Sequence, residues 1–110
     1  MRDDKEHLLN ILDMISKIEV NFHLEQFNRD VVYRFGIAKM LECIGEEVKN
    51  LSNDFRTTNS VIDWRSIIGM RNFLVHEYNE INWDVVLEVV DGKLPQLRQF
   101  IEKFLNDQKN

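Results

Sequence analysis

The chain has one cysteine, one proline and four glycines in 110 residues. A lone cysteine, Cys43, excludes an intrachain disulfide and a cysteine-built metal site. No apolar run approaches the roughly 20 residues that a membrane-spanning helix needs. The first ten residues, MRDDKEHLLN, are charged and lack the apolar stretch of a secretory signal. These absences together lead to the expectation of a cytoplasmic protein. Excess positive charge is missing too: the formal net charge is −5. That argues against a broad basic surface for nucleic acid. It leaves room for a small cationic cleft and for a basic partner.

Apolar residues make up 44% of the chain and charged residues 30%, a globular composition rather than a disordered one. A chain of this length forms one domain, here 1–110, and buries roughly two thirds of its surface without staples. No segment alternates with a period of two for long, so the pattern is helical throughout. Leu8, Ile11, Leu12, Ile15, Ile18 and Phe22 form the stripe of a first helix from about Asp3 to Asn21. Asp3, Asp4 and Glu6 suit the positive end of its dipole. HLEQFNRD reads as a connection with a helical turn.

A second helix is expected from about Asp30 to Leu51, with Ile37, Leu41, Ile44, Val48 and Leu51 on its main stripe. Val32, Gly36, Met40 and Cys43 form a second strip, and a helix with two apolar faces touches two neighbours. Gly36 and Gly45 each cost about 1 kcal/mol relative to alanine inside a helix. They suggest close helix approach, with a second subunit as one candidate neighbour. SNDFRTTNS, 52–60, reads as a loop. A third helix starts near Asp63 and is broken by NEIN, 79–82. Trp83, Val86, Val90, Leu94, Leu97, Ile101 and Phe104 share the register of a last stretch. Gly92 and Pro95 predict a kink there, or two abutting helices. The tail NDQKN is expected to fray. The fold class is thus all-α, an up-and-down antiparallel bundle of four to five helices.

The third helix carries the unusual feature, GMRNFLVHEY at 69–78. On a wheel of about 100° per residue, Ile67, Leu74, Met70, Phe73, Val75 and Ile68 form a broad arc facing the core. Arg71 falls inside that arc, with Tyr78 two turns along the same stripe. Asn72 and His76 are neighbours at the i, i+4 spacing, beside the bare backbone of Gly69. A buried unpaired guanidinium is very costly, so Arg71 must meet an acid, reach a water-filled cleft or serve an anion. Spacing alone favours the first: Arg71 paired with a structural carboxylate such as Glu46 or Glu47, and His76 an edge histidine.

The chemical reading is that Arg71 binds a phosphate and steadies charge on it, while His76 moves a proton. Asn72 would orient the imidazole or donate to the phosphate, and Tyr78 would add a hydroxyl. Such groups suit RNA cleavage by attack of a 2′-hydroxyl on the adjacent phosphate, with no metal and no cofactor. Arg71 and His76 point about 140° apart on one helix. A symmetric homodimer would bring two copies of each into one cleft.

His7 and His23 read as solvated and, with His76, show no metal-ligand spacing. Cys43 reads as a small packing residue. Trp64 and Trp83 read as core or interface anchors rather than base-stacking platforms. Arg34 is read first as structural, and Arg56 and Arg65 are candidates for phosphate contacts at a rim.

The string RNFLVHEY, with Arg71-Asn72 followed after three residues by His76, resembles the signature of HEPN domains. The continuation to Tyr78 is similar to the HepT-like toxins. YRFGIAKMLECIGEEVKNLS resembles that family's long second helix, DWRSIIGMRNFLVHEY its third, and INWDVV with LPQLRQFI its last. The resemblance implies a HEPN bundle and a homodimer whose two Arg71/His76 pairs share a cleft. It implies a metal-independent endoribonuclease, the toxin of a type VII-like toxin–antitoxin pair. It implies as partner a minimal nucleotidyltransferase antitoxin that transfers AMP onto Tyr78. The competing expectation is a non-catalytic helical module that docks such a nucleotidyltransferase.

Overall fold

The structure, a computed structural model, describes residues 3–109. Seven α-helical segments follow one another: α1 Asp4–Asn21, α2 Leu24–Arg29, α3 Val31–Lys49, α4 Asn53–Thr58, α5 Trp64–His76, α6 Trp83–Glu88 and α7 Leu94–Gln108. A 3₁₀ turn, Tyr78–Glu80, follows α5, and a π-helical turn, Val89–Lys93, joins α6 to α7. No strand occurs among the described residues. None of the described helices is long and apolar enough to cross a membrane.

Side chains next to the helix starts explain where the helices begin. Asp3 accepts from the Glu6 amide, Asp30 from Val32 and Tyr33, Asp63 from Ser66, and Asn82 from Asp84 and Val85. Each such cap is worth about 1 kcal/mol. Ser52 caps α4 by accepting from Phe55 N, and its own amide and hydroxyl donate to the Asp4 carboxylate. The stretch 52–60, expected as a loop, therefore contains a helical turn and a half. Its periodicity is too short to see, but Ser52 and the buried Phe55 hold it.

α3 lies at the centre, packed on α1 and on α5, and α1 also meets α7. The start of α1 touches the end of α3 through His7 and Glu47, and its end meets the start of α3 through Asn21 and Tyr33. Those two helices are therefore antiparallel, and Ser66–Lys93 and Trp64–Phe100 set α5 against α7 in the same sense. Leu8, Ile11, Ile15, Ile18, Leu41, Ile44, Val48, Leu97 and Ile101 are fully buried between them. Burying each such side chain contributes about 1.5–3 kcal/mol relative to leaving it exposed. The all-helical bundle is as expected.

Two expectations are corrected, and a third is resolved between its alternatives. Of the kink or the two abutting helices expected at Gly92 and Pro95, the structure has a local π-helical irregularity of the kind that kinks a helix, not a break. The π turn carries the chain through, with the Leu94 amide donating to Val89 O and Pro95 falling in the first turn of α7. A widened turn suits a proline that lacks an N–H and crowds the preceding turn. The tail does not fray at Asn106, since α7 runs to Gln108; Asn110 lies outside the described residues. His7 is not solvated: it is buried, and its Nδ1 lies 2.6 Å from the Glu47 carboxylate, which also accepts from Asn10.

The aromatic residues anchor the ends of the bundle. Trp64 packs edge-on against Phe100 and tilted on Phe55, and its indole N–H donates to Asn59 O. Trp83 meets Phe27 and Phe35 edge-on. Arg34 pairs with no acid among the described residues: it donates to the carbonyls of Phe27 and Asn28 and lies over the Trp83 ring. All three make packing contacts within the bundle.

Candidate active site

Arg71 reaches its position because α5 crosses α3 over a glycine. A Cβ placed on Gly45 would lie 2.3 Å from Arg71 Cβ, so only glycine permits this approach. The close contact inferred for Gly45 is thus made within the chain. Gly36 has open space where its side chain would be.

The guanidinium then runs from the crossing to the surface. Nη2 lies 2.8 Å from Glu46 Oε2, and Nη1 donates to Asn72 Oδ1 at 2.9 Å. Of the two acids weighed, Glu46 is the partner, and Glu47 is engaged on the α1 side with His7. Glu46 Oε2 accepts no well-aligned hydrogen bond although it is this close, so the attraction is chiefly ionic. The Arg71 Nε is buried with no partner. Arg71 is still 20% exposed and Glu46 46%. The arginine is held at the edge of the core, with solvent access, and is not sealed inside it.

Asn72 accordingly turns toward Arg71 rather than toward the imidazole. His76 is the last residue of α5, exposed, about 7.5 Å further along the axis and about 140° around it from Arg71. The protomer brings Arg71, Asn72 and Glu46 together; it does not bring His76 to them. Tyr78 lies beyond α5 in the 3₁₀ turn, so it does not continue the helical stripe. The Glu77 amide closes α5 onto Phe73 O, and the chain turns there. Tyr78 is exposed and lines a cleft of about 180 Å³ with Phe35, Ala38, Lys39, Glu42, Leu74 and Ile81.

Lys39, in that cleft, looks like any surface lysine in the sequence. Its ammonium donates to Glu42 at 2.8 Å, and this bond, with the carboxylate's charge, holds its pKa above the usual value. Phe73 also departs from its expected place in the core and stands 43% exposed. It lies at the margin of the apolar arc, beyond what α3 covers. Arg56 and Arg65 share a separate shallow depression with Trp64 and Ile68. No group of three or more His, Cys, Asp or Glu among the described residues could hold a metal ion.

The family described as "Ribonuclease HepT-like" matches residues 8–104. "Putative RNase TTE0752" of Caldanaerobacter subterraneus is 33% identical over 104 residues, covering 94% of this chain and 93% of that protein. "Probable ribonuclease HepT" of Thermococcus cleftensis is 33% identical over 105 residues, covering 93% of this chain and 96% of that protein. "mRNA nuclease HepT" of Shewanella oneidensis is 42% identical over a shorter stretch of 38 residues, 34% of this chain and 29% of that protein. No solved structure matches the chain. With a profile running through all the major helices and relatives aligned along their length, this chain belongs to the HepT-like ribonuclease family.

Proposed function

We propose that the protein is a metal-independent endoribonuclease, the toxin of a toxin–antitoxin pair, acting as a homodimer. The observation that carries this reading is the placement of Arg71. In a chain of this family, the core-side arginine of α5 is brought to the solvent edge and oriented there by Asn72 and Glu46. In the proposed reaction the 2′-oxygen of RNA bonds to the adjacent phosphorus and loses its proton. The P–O5′ bond breaks, and the leaving 5′-oxygen takes up a proton. His76 carries one of these protons and Arg71 stabilises the charge that builds on the phosphorane. Because Arg71 and His76 face different ways in one protomer, two copies supply the facing pairs. Val31, Val32 and Phe35 on the first half of α3, and Phe73 on α5, leave apolar surface uncovered, which supports an interface between copies.

The antitoxin in this reading is a minimal nucleotidyltransferase that adenylylates Tyr78. The exposed Tyr78 hydroxyl is accessible to such an enzyme, and the added phosphate would introduce negative charge beside the cleft. The pairing of Arg71 with Glu46 favours a second reading, a non-catalytic module that docks the same nucleotidyltransferase with Arg71 as a structural residue. Purified protein incubated with RNA and a chelator separates the two. Cleavage that persists with chelator supports the ribonuclease. Absence of cleavage with and without added metal, together with harmless expression in cells, rejects it.

A further inference from the structure

We infer that Glu46 is a positioning residue for the Arg71 guanidinium, with Gly45 as the seat that lets the two meet. The inference rests on the ribonuclease reading and adds to it a residue from α3, outside the RNFLVHEY string. Three contacts hold the arginine. Its Cβ passes over Gly45 where no side chain fits. Its Nη2 faces Glu46 Oε2 at 2.8 Å, and its Nη1 donates to Asn72 Oδ1 at 2.9 Å. Asn72 is adjacent in sequence and moves with the same helix. Glu46 is the contact that ties the guanidinium to a different helix, so it sets the direction of the group relative to the fold.

The burial pattern separates this clamp from an ordinary surface ion pair. The Oε2 atom is buried, and so is the Arg71 Nε, while the guanidinium as a whole keeps access to solvent. Nη1 gives one N–H to Asn72 and Nη2 faces Glu46 across the ion pair; with Nε buried, it is the outer N–H groups on the two Nη atoms that are left for an oxyanion. Holding a planar donor group in one orientation is what stabilisation of transient charge requires. A carboxylate so near an RNA phosphate also repels it. The two effects have opposite signs on turnover and on binding, and that gives the test its shape.

The experiment compares wild type, Glu46→Ala, Glu46→Gln and Arg71→Ala for kcat and KM on one RNA. It also records the Nε–H signal of Arg71 by nitrogen-15 NMR. Glu46→Ala is expected to lower kcat by roughly 10–100-fold, within the loss that small misplacement of a catalytic group produces. KM should be unchanged or lower, because a negative charge has been removed. Glu46→Gln keeps an acceptor of the same shape and should recover part of kcat. Arg71→Ala should lose both turnover and binding. The Arg71 Nε–H signal should be sharp in wild type and broadened in Glu46→Ala. Should Glu46→Ala fail to fold, the Glu46→Gln kcat and KM carry the test, with a kcat loss but no rise in KM expected. Wild-type kcat in the Glu46 variants, or a kcat above it, overturns the inference alone. A wild-type protein that cuts no RNA brings down the ribonuclease reading, and the catalytic purpose of the clamp with it.

Discussion

Arg71 on α5 sits directly over Gly45 on α3, close enough that a Cβ at position 45 would fall 2.3 Å from Arg71 Cβ and 2.9 Å from its Cγ. The Cβ is fixed to the backbone, so no rotamer change relieves the overlap. Gly45→Ala should therefore push the two helices apart. A destabilisation of about 1–3 kcal/mol is expected from overpacking, despite the better helix propensity of alanine. Denaturant unfolding measures it. An alanine variant as stable as wild type would show that the crossing is looser than described.

His76 is exposed at the end of α5, and its side chain has no hydrogen-bond or ion-pair partner among the described residues. His76→Ala should leave stability within about 0.5 kcal/mol, as for other surface changes. RNA cleavage should drop by about 10²–10⁴-fold, the usual contribution of a positioned acid or base. Thermal unfolding and cleavage rates on the same sample test the pair. Cleavage that survives the substitution removes His76 from the mechanism.

Tyr78 stands 57% exposed in the 3₁₀ turn after α5. Incubation with a nucleotidyltransferase partner and ATP should add the mass of adenylate to wild type and none to Tyr78→Phe. Intact-mass spectrometry reads both. Addition that persists in the phenylalanine variant places the modification on another side chain.

His7 is buried against Glu47, which also accepts from Asn10, and this links α1 to α3 away from Arg71. His7→Ala should cost about 1–3 kcal/mol, since a partly buried carboxylate loses a partner. Turnover by the folded fraction should not change. A loss of cleavage equal to that of His76→Ala would mean that the α1–α3 link shapes the active site.

The periodic stripes of α1, α3 and α7, the helix starts near Asp3, Asp30 and Asp63, and the RNFLVHEY string are local features, and all were legible in the amino-acid order. Helix periodicity and capping depend on residues within one or two turns, so one chain read in order suffices. The family likeness was legible for the same reason, because its residues lie on one helix. The partner of Arg71 was not. Glu46 and Glu47 are adjacent, about 100° apart on α3, and only the packing of α3 between α1 and α5 sends Glu47 to His7 and Glu46 to Arg71. Likewise Gly45 could have met any neighbour, and Tyr78 left its expected stripe because α5 ends at His76. Those outcomes depend on contacts between residues far apart in the chain, which arise when the apolar faces are buried together.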